Sequence, residues 1–388
     1  MQLTLALCLS AVLSVSACSA VKDTVTPGKP AVPVELAANV ADKAQAVGVD
    51  TVVTAKATHG VLTAAILYAG ADPAKNVVKG RVTGTGWVAS QLLEPGRTYH
   101  LMLKGQGEDG KSSSMTRTFS TQQLTLAQQT YPSIAPLQGE TVGVGMPVIV
   151  MFDLPVVNRA LYERKMRVES TPAVEGSWSW LSDREVHFRP KTYWPAGTKV
   201  KIIAAVNGLP AGNGIYGQQD QLVSFNVGRS VVSTVDVAAY QLIVRINGKV
   251  ARTIPVTTGD NGHRSREGTK VVMEKFSSID MDAATTGIDS EDPGYYNIKG
   301  VRWAMRLTNS GEFLHAAPWS VGSQGVANVS HGCTGMSTAN AKWLFSQSRR
   351  GDVVRFVNSP RPLEQSNGWT DWDLSYAAFA KGSALHVS

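Results

Sequence analysis

Cys333 stands in Ser330-His331-Gly332-Cys333-Thr334-Gly335, and no other cysteine lies downstream of position 18. A thiol without a disulfide partner, beside a histidine and a glycine, has the makings of a nucleophile. It attacks a carbonyl only as thiolate, so a neighbour must lower its pKa or take its proton. Two histidines are candidates. His331 precedes Cys333 by two residues and can share its face on an extended segment. His315 lies in Phe313-Leu314-His315-Ala316-Ala317-Pro318-Trp319, with fifteen residues between it and His331. It belongs to a separate segment that can reach across. Gly332 allows close approach of backbone to a substrate. The amides of Gly332 and Cys333 are then candidates for an oxyanion hole.

These residues must be held by strands and one helix. Tyr240, Leu242, Val244 and Ile246 alternate, Asn247-Gly248 turns the chain, and Val250, Arg252, Ile254 and Val256 alternate again. Asn-Gly between such runs predicts a hairpin, because that turn needs positive φ at both central residues. A strand is expected over 269–275, and a closing strand over 352–357. Ser337 is placed to cap a helix over 338–348, whose N-terminus would favour a thiolate. Residues 277–300 show little periodicity, which predicts a long functional connection such as a lid.

Upstream, residues 34–121 hold short runs of β-branched and small residues broken by Gly, Pro and Asp. Strands are expected over 61–68, 80–88, 98–103 and 115–119, which together suggest a β-sandwich. A second such block covers 122–228. In it 147–153 reads as a buried strand, 198–204 as another, and Trp178 and Trp180 as core residues on one face of a hairpin. The catalytic block covers 229–358, and a C-terminal extension over 359–388 carries Trp369, Trp372, Tyr376 and Phe379 at helical spacing. That extension is expected to pack on the catalytic block. The fold class is mainly β.

The order of histidine, spacer and Ser-His-Gly-Cys strongly resembles the signature of the L,D-transpeptidases, which cross-link bacterial peptidoglycan. The second block likewise resembles the immunoglobulin-like module that precedes the catalytic domain in multi-domain members. The resemblance implies two immunoglobulin-like modules followed by a β-rich catalytic domain. It makes His315 the base, with its other ring nitrogen held by the carbonyl of Ala316, and gives His331 a supporting role. A flap carrying a methionine and a tyrosine is implied, which corresponds to Met281 and either Tyr295 or Tyr296. Trp319, Ser330 and Gly335 join the substrate-binding set. The implied reaction is a two-step acyl transfer between peptidoglycan stem peptides. Cys333 attacks the bond between the third residue and D-Ala of a donor tetrapeptide, D-Ala leaves, and an acceptor amine resolves the thioester as a 3→3 cross-link. No metal or cofactor is required, and carbapenem-type β-lactams are expected as covalent inhibitors.

Two positions depart from the family pattern. Asparagine normally stands two residues after the cysteine, where this chain has Gly335. Losing one neutral hydrogen bond predicts acylation slower by about two- to ten-fold, recovered in Gly335→Asn. Ala316 stands where serine is usual, which keeps the carbonyl and drops a hydroxyl.

Composition and targeting bound the setting. Hydrophobic residues are 43% and charged residues 17%, a globular balance and not a disordered one. The net charge of +7 suits an anionic wall polymer and is too diffuse to argue for nucleic acid. Residues 3–17 form an apolar run too short for a membrane span. Val15-Ser16-Ala17-Cys18 resembles a bacterial lipobox, which implies a signal peptide over 1–17, lipidation of Cys18, and a tether over 18–33. An ordinary secretory signal is the alternative. Either leader places the protein outside the cytoplasm, and lipidation would anchor it to the membrane, facing the wall. Competing functions are a sortase-like cysteine transpeptidase, and a non-catalytic or weakly active wall-binding lipoprotein favoured by Gly335.

Overall fold

The computed structural model describes residues 32–286, 289–291 and 295–386. Cys18 lies outside the described residues, as do residues 1–17, most of the tether, Gly287 and residues 292–294. Among the described residues, no helix is long and apolar enough to cross a membrane.

The first block pairs two four-stranded sheets. One runs Glu35–Ala38, Thr54–Thr58, Gly86–Ala89, Gly80–Thr83; the other runs Val77–Val78, Gly60–Ala69, Thr98–Gly107, Ser112–Ser120. Alternation on Thr98–Gly107 turns Tyr99, Leu101 and Leu103 inward, against Leu67, Trp87 and Phe119. The single strand expected over 80–88 is a hairpin. Gly84, at φ +58°, turns the chain between its two arms.

The second block is again two sheets. Pro132–Ala135, Val148–Phe152, Glu185–Pro190 and Gly176–Trp180 face Thr141–Val142, Gln221–Val227, Lys199–Ala204 and Met166–Thr171. Trp178 pairs with Phe188 across the hairpin, and both tryptophans are buried in a core with Trp194, Phe225 and Tyr162. Burying each such side chain stabilises the fold by about 1.5–3 kcal/mol.

The third block carries a six-stranded sheet and a four-stranded sheet. The larger has the order Lys249–Pro255, Gln241–Ile246, Val231–Asp236, Val353–Val357, Arg266–Val271, Arg361–Pro362. The smaller has the order Glu274–Asp282, Asn297–Arg306, Phe313–Ala316, Thr334–Met336. Helix Thr338–Gln347 is capped by Ser337, whose hydroxyl accepts from the Asn340 amide at 3.3 Å. The helix buries Ala341 and Leu344 against Leu242, Ile254, Met305, Leu314 and Phe356.

Three expectations change here. The strand expected over 269–275 is two strands in different sheets. The chain crosses at Val272 and Met273, whose amides bond Asp352 on one side at 2.9 Å and Arg306 on the other at 2.8 Å. The connection expected over 277–300 begins and ends in strand, because Glu274–Asp282 and Asn297–Arg306 pair in antiparallel register. A register shift between Ile279 and Met281 breaks the alternation and hides the strand. The C-terminal extension divides its contacts. It meets the catalytic block, where the Leu363 amide donates to the Glu267 carbonyl at 2.9 Å and Asp373 accepts from the Thr269 amide at 2.9 Å. It also packs on the second sandwich. Trp372 donates to the Gly145 carbonyl at 2.6 Å, Arg189 lies over Trp372 and Phe379, and buried His187 bonds Asp371 at 2.8 Å. Of the four aromatics, Tyr376 and Phe379 lie in the α-helix Tyr376–Ala380, and Trp372 lies in a separate 3-10 turn, Asp371–Asp373.

Candidate active site

Parallel strands Phe313–Ala316 and Thr334–Met336 put His315 opposite Gly335. Cys333 precedes the second strand, so its side chain and that of His315 reach the same cavity of about 370 Å³. Met281, Tyr296, Trp319, Ser330, His331 and Gly335 line it too. Tyr295 does not; its hydroxyl accepts from Asn297 Nδ2 at 3.3 Å. Between the two candidate flap tyrosines, Tyr296 is the one that faces the cavity.

His315 is buried, and its Nδ1 lies 2.8 Å from the Ala316 carbonyl oxygen. A carbonyl only accepts, so Nδ1 carries the proton and Nε2 keeps a free lone pair. Burial pushes the His315 pKa below its ordinary value, against the opposing pull of that hydrogen bond. Burial likewise pushes the Cys333 thiol up to about 12, although a backbone hydrogen bond from Phe313 works the other way. Both groups are therefore neutral at rest. The thiol donates to the Gly311 carbonyl at 3.4 Å. Among the described residues, no hydrogen bond joins Cys333 to His315.

The loop over 330–333 is built differently from the expectation. Gly332 sits at φ +121°, a conformation that side chains disfavour, and this is the local reason for glycine. Its amide donates to Ser330 Oγ at 3.1 Å, so it is engaged within the loop and not open to a substrate oxyanion. Ser330 Oγ in turn donates to the Cys333 carbonyl at 2.6 Å, which closes a tight local turn. The His331 ring lies 5.1 Å from Tyr296 and 4.5 Å from His263. Trp319 stacks on His315 at 5.8 Å while remaining 55% exposed.

Gly335 fills a gap no larger than itself. A Cβ there would lie 2.8 Å from Ala317 Cβ and 3.2 Å from Thr257 Cγ2. The Gly335 amide and carbonyl also exchange hydrogen bonds with Thr257 at 2.9 and 3.0 Å. Glycine is thus part of the packing, and the expected gain from asparagine meets a steric obstacle.

Sequence reasoning missed Thr257, Ile298, Ser320, Ser323 and Val329, which also line the cavity. It also missed His263, whose Nδ1 is 3.1 Å from Asp260 Oδ1. The Asp260-to-His263 spacing is the available signal, and it sits in a glycine-rich polar stretch over 258–268 without periodicity.

A family profile described as the L,D-transpeptidase catalytic domain matches residues 230–356. One described as a bacterial Ig domain matches residues 44–210, across both sandwiches. The chain is 34% identical to L,D-transpeptidase 2 of Mycobacterium tuberculosis over 353 residues, which cover 90% of this chain and 85% of that protein. The chain belongs to the L,D-transpeptidase family. L,D-transpeptidase 5 of the same organism is 35% identical over 297 residues, covering 74% of this chain and 63% of that protein. A solved L,D-transpeptidase in complex with imipenem superposes with a TM-score of 0.52 at 34% identity, covering 58% of this chain and 97% of that one. As an L,D-transpeptidase, the protein is an acyl-transfer enzyme, and the sortase-like alternative falls away.

Proposed function

We propose that this L,D-transpeptidase forms 3→3 peptidoglycan cross-links through a Cys333 thioester, with His315 as general base. The observation that carries the reading is the hydrogen bond from His315 Nδ1 to Ala316, which leaves Nε2 basic in the cavity that holds the thiol. His315 Nε2 takes the thiol proton as Sγ adds to the carbonyl of the donor's third residue. The Cys333 amide is the oxyanion donor, since the Gly332 amide is bound to Ser330. The protonated His315 then gives its proton to the departing D-Ala nitrogen, and the thioester remains. In the second half, His315 takes a proton from the acceptor's side-chain amine as it attacks the thioester. That proton returns to sulfur as the thiolate leaves. Met281 and Tyr296 close over the acyl group, and Trp319 keeps His315 in its plane.

Starting from neutral groups avoids holding a desolvated ion pair in an empty cavity. Charge appears only when the substrate is present to share it. Lipidation of Cys18 and a tether to the membrane belong to the same reading, with the sandwiches projecting the active site toward the wall. Release of a Cys18→Ser protein from membranes, with unchanged activity on soluble muropeptides, is the expected sign of that anchor.

Incubation with a carbapenem, followed by intact-protein mass, tests the chemistry. One covalent adduct is expected, absent in Cys333→Ala and formed at least ~10²-fold more slowly in His315→Ala. Cross-linking of stem tetrapeptides by Cys333→Ala would reject the assignment. A wild type that forms neither adduct nor cross-link favours a non-catalytic wall-binding role.

A further inference from the structure

We propose that Lys270 and Glu312 form a buried charge pair that positions the nucleophile loop and cancels the negative charge behind it. The pair acts through Cys333, so this inference rests on Cys333 being the nucleophile. Lys270 lies on Arg266–Val271, fully buried, with Nζ bonded to Glu312 Oε2. The other carboxylate oxygen of Glu312 accepts the Arg266 amide at 2.9 Å and its guanidinium at 3.2 Å. Glu312 is itself only 3% exposed.

A buried ion pair is a weak source of stability, because desolvation consumes most of the attraction. The placement of this one suggests another use. Glu312 lies between two residues that meet Cys333. Gly311 offers the carbonyl that accepts the thiol at 3.4 Å, and Phe313 packs with Cys333 in one buried cluster. The Glu312 amide donates to Thr308 Oγ1 at 2.9 Å, and its carbonyl accepts from Leu307 at 2.9 Å, so the turn is pinned at both ends. Its side chain runs under the nucleophile loop. A Cβ added to Gly332 would lie 3.9 Å from Glu312 Oε1.

A lone carboxylate at that place would oppose any negative charge developing on sulfur. The Lys270 ammonium removes the opposition. Arg266, Arg306 and Glu364 are the other charges that bear on this group. Glu364 and Asn367 of the C-terminal extension hold the outer end. Glu364 pairs with Arg266, and Asn367 Oδ1 accepts the Ser310 amide at 2.9 Å. Cation, carboxylate and turn thus form one continuous support for Cys333.

The test is the rate of Cys333 alkylation by iodoacetamide across pH, in folded full-length protein checked by circular dichroism. Lys270→Met strands the carboxylate, and alkylation at pH 8 should slow by about ten-fold. Adding Glu312→Gln removes the stranded charge, and the double variant should return to within about three-fold of the wild type. A purely structural pair would leave single and double variants equally slow, or the single variant unchanged; either result overturns the proposal. If Lys270→Met fails to fold, Glu312→Gln alone carries the test with opposite sign: faster alkylation supports the proposal, and an unchanged or lower rate rejects it. A Cys333 that alkylates as described but accepts no acyl group would instead overturn the thioester reading and leave this one standing.

Discussion

Cys333 and His315 are neutral in the resting protein because both are buried, and burial opposes charge on either. The pH dependence follows from that. His315 is held below its ordinary value of 6.5, so the free base is present throughout the neutral range. The thiol, pushed up to about 12, keeps its proton over the same range. Acylation by a carbapenem should therefore be level from neutral pH to about 9 and decline only on the acid side. A rate that instead climbs about ten-fold per pH unit would mean that free thiolate attacks without help from His315.

At the scale of elements, the short strand Thr334–Met336, which follows Cys333 directly, is confined on both sides. It pairs with Phe313–Ala316 and bridges to Thr257. Gly335 sits at the narrowest point, with the methyl group of Ala317 2.8 Å from where a Cβ would stand. Ala317 Cβ is fixed to backbone and cannot rotate away. Gly335→Asn should therefore lower stability by about 1–3 kcal/mol. It should also slow adduct formation, the reverse of the direction expected from the family motif. Thermal melting and adduct kinetics on the same sample check this; faster acylation at an unchanged melting temperature would reject it.

At the scale of the whole molecule, the C-terminal extension ties the second sandwich to the catalytic block. His187 of the second sandwich has each ring nitrogen 2.8 Å from a carboxylate oxygen, Asp371 in the extension and Glu185 on its own strand. Burial alone would lower its pKa, but the two carboxylates outweigh burial and raise it to about 9. A folded value above the unfolded 6.5 adds stability that is complete below pH 6.5 and is lost as pH rises through about 9. The loss is on the order of 3 kcal/mol, from a shift of that size. Melting temperature should fall over this window in the wild type, and the slope should be flat in His187→Gln. An equal slope in the variant would place the pH sensitivity elsewhere.

Much of this protein was legible in its chain. The lone thiol, the two spaced histidines and the Asn247-Gly248 hairpin depend on residue type and local spacing, which sequence displays directly. The Ser337 cap is equally local. Tertiary structure decided what depends on distant residues meeting. It chose Tyr296 over Tyr295, and brought Ala317 and Thr257 against Gly335. It placed Lys270, on a strand 42 residues before Glu312, into one pair with it. It also set the extension against two blocks at once through Asp371 and Trp372. None of these has a periodicity to read. A bulge hides a strand, a burial-driven pKa shift depends on the whole enclosure, and a steric limit belongs to the neighbour and not to the residue that obeys it.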